Sequence, residues 1–265
     1  MEYYLLSLIL SLTTSFISTT NDMNKDTDFH TNKVIAHRGA WKTKNFPQNS
    51  LASLEEAIRL GCEGSEFDVW MTADSILVVN HDADFLGMPI ETSSYATLLE
   101  KTLPNGEKIP TVEAYLKRGM EQTSTKLIME VKTSEISKER SLLLADKAVQ
   151  LVKDLEAEKW VDYIAFDYDM CIKIIALDRE ANVAYLEGDK TPEELKEAGF
   201  FGLDYHYSLL KQNPNWIDEA HKLGLTVNAW TVNKKEDMQW LLDRNVRFIS
   251  TDEPEMLFEV IDDAG

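Results

Sequence analysis

The sequence predicts an α/β fold, a (β/α)8 barrel of the TIM type with an extra strand folded back as a hairpin after the second barrel strand. Three observations carry this. Eight short apolar segments alternate with amphipathic, helix-length stretches over about 230 residues, close to the ~250 typical of such barrels. Ionisable residues gather at the C-terminal ends of these segments, while the segment interiors are almost purely apolar. The stretch after the first segment, GAWKTKN, lacks the Gly-rich turn that usually opens a doubly wound sheet, the competing architecture.

The strand segments are 33–37, 66–70, 127–131, 163–166, 182–186, 202–205, 226–230 and 247–250. Leu51, Leu54, Ala57 and Ile58 have helical spacing, with Ser50 before them as N-cap and Gly61 after them as C-cap. Similar helices fit 112–118, 140–155, 169–178, 191–198, 215–223 and 234–243, with capping signals at Asp169, Thr191, Asn213 and Asn233. A ninth strand, 76–79, breaks the alternation, because only residues 71–75 separate it from the strand before. A parallel partner needs a crossover of about a dozen residues, so this strand must return antiparallel. A two-residue turn at Ala73-Asp74 pairs positions that sum to 147, which sets His81 opposite Glu66, roughly 5 Å away between Cβ atoms.

A formal net charge of -19 and a pI near 4.6 exclude nucleic acid and anionic membranes as partners, since both call for clustered Lys and Arg. A small anionic substrate remains compatible, because it responds to the local site. Residues 3–17 are nearly all apolar or hydroxylic, too short for a membrane span and suited to a signal-peptide core. Ser18-Thr19-Thr20 offers small residues for cleavage, although Glu2 stands where a positive charge is customary. The domain reading is a signal peptide at 1–20, a polar tether at 21–32 and the barrel at 33–261, in an exported protein with no stable membrane insertion after signal removal. Cys62 and Cys171 have no metal or redox spacing and read as buried thiols, with a disulfide between them open to an exported chain.

Active sites of these barrels lie at the C-terminal ends of the strands. There the sequence sets His37-Arg38-Gly39, then Glu66 and Asp68 two apart on one face, His81 from the hairpin, Glu130 and Lys132 two apart, and Trp230. Three carboxylates converging on one pocket repel, so some are protonated or a cation sits among them, and oxygen-only ligands suit Mg²⁺ or Ca²⁺. Two histidines beside a cation can act as general acid and base, with Arg38 and Lys132 as fixed positive charge, an ensemble matched to phosphoryl transfer. His206, at a strand end, is a further candidate for the pocket wall.

The pieces IAHRGA, PQNS, EFDVWMTADSILVVNHD, MEVK, AWTVN and STDEP occur in this order between residues 34 and 254, and together they resemble the glycerophosphodiester phosphodiesterase family. The resemblance implies a metal-dependent (β/α)8 barrel that cleaves glycerophosphodiesters to glycerol 3-phosphate and an alcohol. It implies His37 and His81 as the acid–base pair, Glu66, Asp68 and Glu130 as ligands of a divalent cation, Arg38 and Lys132 on the phosphate, and Trp230 against the glycerol side. The chain departs from the family pattern twice. Pro47-Gln48-Asn49-Ser50 stands where the family reads Pro-Glu-Asn-Thr, which removes a charge near Arg38. After Asp82 the chain runs ADFLGMPIETSS in place of the family's Pro-Thr-Leu and Arg-Thr-Thr pattern. Three rival readings stay open: a lipid-type phosphodiesterase releasing a cyclic phosphate, an aldolase-type barrel with Lys132 as Schiff-base nucleophile, and an inactive binding barrel.

Overall fold

In the computed structural model, which describes residues 27–264, the strands are β1 (Val34–Ala36), β2 (Gly64–Met71), β3 (Leu77–Val79), β4 (Asp84–Phe85), β5 (Met88–Pro89), β6 (Lys126–Val131), β7 (Val161–Ala165), β8 (Val183–Tyr185), β9 (Gly202–His206), β10 (Thr226–Trp230) and β11 (Phe248–Thr251). Eight of them run parallel in the ring β1-β2-β6-β7-β8-β9-β10-β11. The ring closes because β1 pairs with both β2 and β11. The expected barrel is therefore present. The leader read at 1–20 and residues 21–26 lie outside the described residues. No helix among the described residues is long and apolar enough to cross a membrane.

Apolar side chains fill two concentric layers. Ile35, Ile128, Ile164, Ala184, Leu186 and Phe248 pack inside the ring. A larger core, including Leu54, Phe67, Tyr115 and Leu127, lies between the strands and the helices outside them. The helix Leu51–Leu60 starts at a capping box between Ser50 and Ser53 and stops at Gly61 in the left-handed conformation, as its sequence signals indicate. Three cap expectations do not hold. Asp167, not Asp169, caps Tyr168–Leu177 by accepting from the amides of Asp169 and Met170. The helices Asn215–Leu223 and Lys235–Leu242 begin at Pro214 and Lys234 without side-chain caps. Asn233 is committed elsewhere, to Asp252, so a tertiary partner wins over the local one.

The hairpin is real but its register differs from the expected one. Strands β2 and β3 pair Val69 with Val79, Trp70 with Val78 and Met71 with Leu77, so the positions sum to 148. The loop has three residues, Ala73-Asp74-Ser75, with Ser75 at φ 65°. That length matches a turn followed by a left-handed residue. The Thr72 hydroxyl accepts from the Ile76 amide and donates to Asp74, whose carboxylate also accepts from the Tyr95 amide. These bonds to Asp74 hold the longer loop. A slip of one residue exchanges the two faces of a strand. Asn80 thus stands beside Asp68, its amide donating to the Asp68 carbonyl, and His81 falls past the paired strand rather than opposite Glu66. The following excursion builds its own apolar cluster from Trp70, Val78, Phe85, Ile90, Leu98 and Ile109.

The end of the segment read as a tether is fastened to the barrel. The amides of Asp28 and His30 donate to the Thr123 and Ser124 carbonyls, Asn32 donates to the Gly61 carbonyl, and Phe29 meets Trp160 edge-on at 6.4 Å. Both cysteines are buried and free, and burial pushes both thiols up.

The chain leaves β1 through Arg38 at φ 57° and Gly39 at φ 79°, and a Cβ at position 39 would stand 2.6 Å from the Ser53 backbone carbon. Gly39→Ala is expected to destabilise the protein by about 2 kcal/mol or more, because it adds left-handed strain to a backbone clash. Denaturant unfolding measures this, and an unchanged midpoint would mean that the turn relaxes freely.

Candidate active site

The turn after β1 projects His37 and Arg38 over the mouth of the ring. Seven of the eight residues singled out in the sequence line one pocket there: His37, Arg38, Glu66, His81, Glu130, Lys132 and Trp230. Its volume is about 100 Å³. The eighth, Asp68, is 1% exposed and lies behind the others.

Glu66, Asp68 and Glu130 offer oxygens that all lie within 4.8 Å of one another. Each remaining valence is largely spoken for. The Arg38 amide donates to Glu66 at 2.7 Å, and the Asn49 side chain donates to Asp68 at 2.8 Å. Lys132 Nζ donates to Glu130 at 2.7 Å and to Asp68 at 3.2 Å. Glu66 Oε1 is buried and has no hydrogen-bond partner among the described residues. Burial first, then Asp68 and Glu130, raise the Glu66 carboxyl well above its ordinary value. Burial and Asp68 likewise push Glu130 up to about 7. Burial works the same way on Asp68, but Lys132, His81 and Asn49 outweigh it and hold Asp68 below its ordinary value. One carboxyl held low and two pushed up is the pattern that three crowded acids adopt without a cation. Three carboxylates, one with a bare inward oxygen, fit a hard divalent cation.

Lys132 is the ammonium of this cluster. Burial disfavours its charge, but Asp68 and Glu130 outweigh that and raise its pKa. A Schiff-base lysine must be neutral to attack, so this environment opposes the aldolase reading. Arg38 Nη1 donates to Gln48 Oε1 at 2.8 Å. The glutamine thus keeps the contact that orients Arg38 and omits the negative charge that a glutamate would add.

Each histidine is held by its Nδ1. His37 Nδ1 lies 2.7 Å from Asp252 Oδ1, and the Asn233 side chain donates to Asp252 Oδ2 at 2.7 Å. Burial acts to raise Asp252, but the hydrogen bond and charge of His37 outweigh it, so Asp252 is an ionised acceptor and His37 Nδ1 the donor. His81 Nδ1 lies 2.7 Å from Asp82 Oδ1, and its backbone carbonyl accepts from Trp70 Nε1. Burial lowers the His81 pKa, with Asp68 opposing. In both rings the bonded Nδ1 leaves Nε2 for proton exchange.

Trp230 Nε1 donates to the Asp204 carbonyl at 2.8 Å, and Phe166 meets the indole edge-on at 5.4 Å. His206 supports the same indole at 5.1 Å and bonds to Ser208, so it caps the helix Tyr207–Gln212 and does not line the pocket. Asn49, Asp204, Asn233 and Asp252 were not among the sequence-derived site residues. Asn49, Asn233 and Asp252 lie inside quoted motifs, and only their contacts reveal them. Asp204 had only its place in a strand as a signal.

A family model described as Glycerophosphoryl diester phosphodiesterase family matches residues 37–256. The chain is 26% identical over 250 residues to a glycerophosphodiester phosphodiesterase of Caldanaerobacter subterraneus, covering 88% of this chain and 98% of that one. Among solved structures, a glycerophosphodiester phosphodiesterase from Parabacteroides distasonis superposes with a TM-score of 0.85 at 44% identity, over 89% of this chain and 99% of that one. An Oleispira antarctica phosphodiesterase, in complex with the product sn-glycerol-3-phosphate, shares the fold with a TM-score of 0.73 at 24% identity, over 87% and 96%.

The raised carboxyls predict an unusual pH dependence. Folded Glu66 and Glu130 keep protons that the unfolded chain releases near 4.5. The Glu130 contribution is full below that pH and is lost as pH rises through about 7, and Glu66 acts in the same direction. The chelated protein should therefore melt at a lower temperature at about pH 8 than at about pH 5, and Mg²⁺ or Ca²⁺ should raise the melting temperature more at the higher pH. Equal cation effects at both would contradict the carboxylate site.

Proposed function

The chain belongs to the glycerophosphoryl diester phosphodiesterase family, and from that premise we propose that it hydrolyses glycerophosphodiesters to glycerol 3-phosphate and an alcohol, with a divalent cation and a histidine acid–base pair. It is an enzyme of the phosphoric diester hydrolase class. The observation that carries the finer reading is the joint occupation of one pocket by two carboxylate-held histidines, three converging carboxylates and two cationic side chains.

Glu66, Asp68 and Glu130 would hold the cation, Mg²⁺ or Ca²⁺ by the all-oxygen donor set. When bound, the cation offsets charge on the non-bridging phosphate oxygens. Lys132 and Arg38 bind the same phosphate from the protein side, and Gln48 keeps Arg38 in place while leaving its charge undiminished. One histidine takes the proton of the nucleophile, a water or the substrate's glycerol hydroxyl, at Nε2. The other gives a proton to the departing alcohol. Asp252 keeps His37 in the tautomer with a free Nε2, and Asp82 does the same for His81. Trp230 and Phe166 form the wall against which the glycerol portion packs.

Release of glycerol 3-phosphate from glycerophosphocholine and glycerophosphoethanolamine is expected to stop on chelation and return with Mg²⁺ or Ca²⁺. A persistent cyclic phosphate in phosphorus NMR would move the assignment to the lyase reaction, and binding without turnover to an inactive barrel. His37→Ala and His81→Ala should each lower kcat by about 10²–10⁴-fold with little change in melting temperature. Near-normal turnover in either would remove that histidine from the mechanism.

A further inference from the structure

The pocket has two unlike sides. Its charged residues come from the β1, β2, hairpin and β6 ends, whereas β7, β8 and β10 contribute Ile164, Phe166, Leu186 and Trp230. On this second, mainly apolar side stands Asp204, from the middle of β9. It is 6% exposed, and no hydrogen bond or ion pair among the described residues reaches its carboxyl. A buried polar group without a partner calls for an explanation. No fold requirement supplies one. Its strand neighbour Asn228, paired with it in register, also carries a buried oxygen without a partner. Trp230 is anchored by the Asp204 main chain, not by its side chain.

We propose that Asp204 is a substrate-binding residue that recognises a hydroxyl of the glycerol moiety. The proposal rests on the reading above, in which the cation and the Arg38–Lys132 pair hold the phosphate. With the phosphate there, a three-carbon arm attached to it crosses toward Trp230 and Phe166. A space of about 100 Å³ accommodates that arm. On that side Asp204 is the acidic side chain, and among the described residues its buried carboxyl oxygen has no hydrogen-bond partner. Burial, then Glu130, pushes its carboxyl up to about 8, which favours the carboxylic acid over the carboxylate. A neutral acid both donates and accepts, which matches a hydroxyl. It does not match the ammonium of an ethanolamine or choline group, which would need an ionised carboxylate in the barrel interior.

A rival role is available. A smaller cavity of about 20 Å³ adjoins the pocket and shares Glu66, Ile164, Asp204 and Ser250 with it. That is room for one water, which could satisfy Asp204 for structural reasons alone.

The two roles separate on paired substrates. The kcat/KM of wild type, Asp204→Ala and Asp204→Asn is measured on glycerophosphocholine and on bis(p-nitrophenyl) phosphate, a diester with no glycerol hydroxyl. If Asp204 reads the hydroxyl, Asp204→Ala loses about 10- to 100-fold on glycerophosphocholine and less than about twofold on the aryl diester. Asp204→Asn keeps a donor and an acceptor and recovers most of the loss. Equal losses on both substrates, or no loss on glycerophosphocholine, overturn the proposal. So does a lowered melting temperature that accounts for the whole effect in both variants. A wild-type enzyme that cleaves the aryl diester but not glycerophosphocholine overturns the functional reading itself, and the glycerol role with it.

Discussion

Glu66, Asp68 and Glu130 bring their oxygens within 4.8 Å of one another in the barrel mouth, and three negative charges that close cannot coexist in a buried corner unaided. Much of the surrounding architecture answers that problem. Lys132 spans two of the carboxylates, the Arg38 amide and the Asn49 side chain each take one oxygen, and burial and mutual repulsion shift two of the acids toward keeping their protons. The left-handed turn through Arg38 and Gly39 aims that amide at Glu66, and its close approach to the Ser50–Ser53 capping box fastens it to the first helix. A cation would take over the neutralising work of the protons.

The same constraint divides the pocket. Charge is concentrated where the early strands meet the hairpin, because Lys132, Arg38 and His81 must stand near the acids to offset them. The later strands are free of that demand and supply an apolar wall, with Phe166 and His206 holding the Trp230 indole edge-on. A phosphodiester has the same duality, an anionic centre with a carbon arm on either side. Gln48 fits this picture. Its carbonyl orients Arg38 without adding a fourth acid to a site that already carries three.

The barrel and most of the site were legible in the sequence. The strand segments and the first helix with its two caps follow from periodicity and cap chemistry, and strand-end position and motif resemblance single out eight residues of which seven line one pocket. Errors arose where a choice depended on a distant partner. Asn233 looks like a helix cap, but Asp252 claims it. Asp74 looks like half of a two-residue turn, but the Tyr95 amide 21 residues on helps to hold a three-residue loop. The register of β3, and with it the address of His81, follows from that loop.

What the sequence determined by itself was therefore the order of elements and the kinds of groups that meet at the strand ends, since these follow from local periodicity and from the rule that parallel strands share one direction. What only the tertiary structure decided was pairing: Asp252 with His37, Lys132 with two acids, Gln48 with Arg38, and the lack, among the described residues, of any partner for the Asp204 carboxyl. Those depend on closing the ring, which brings residue 37 beside residue 252 and leaves Asp204 facing a space that no side chain fills.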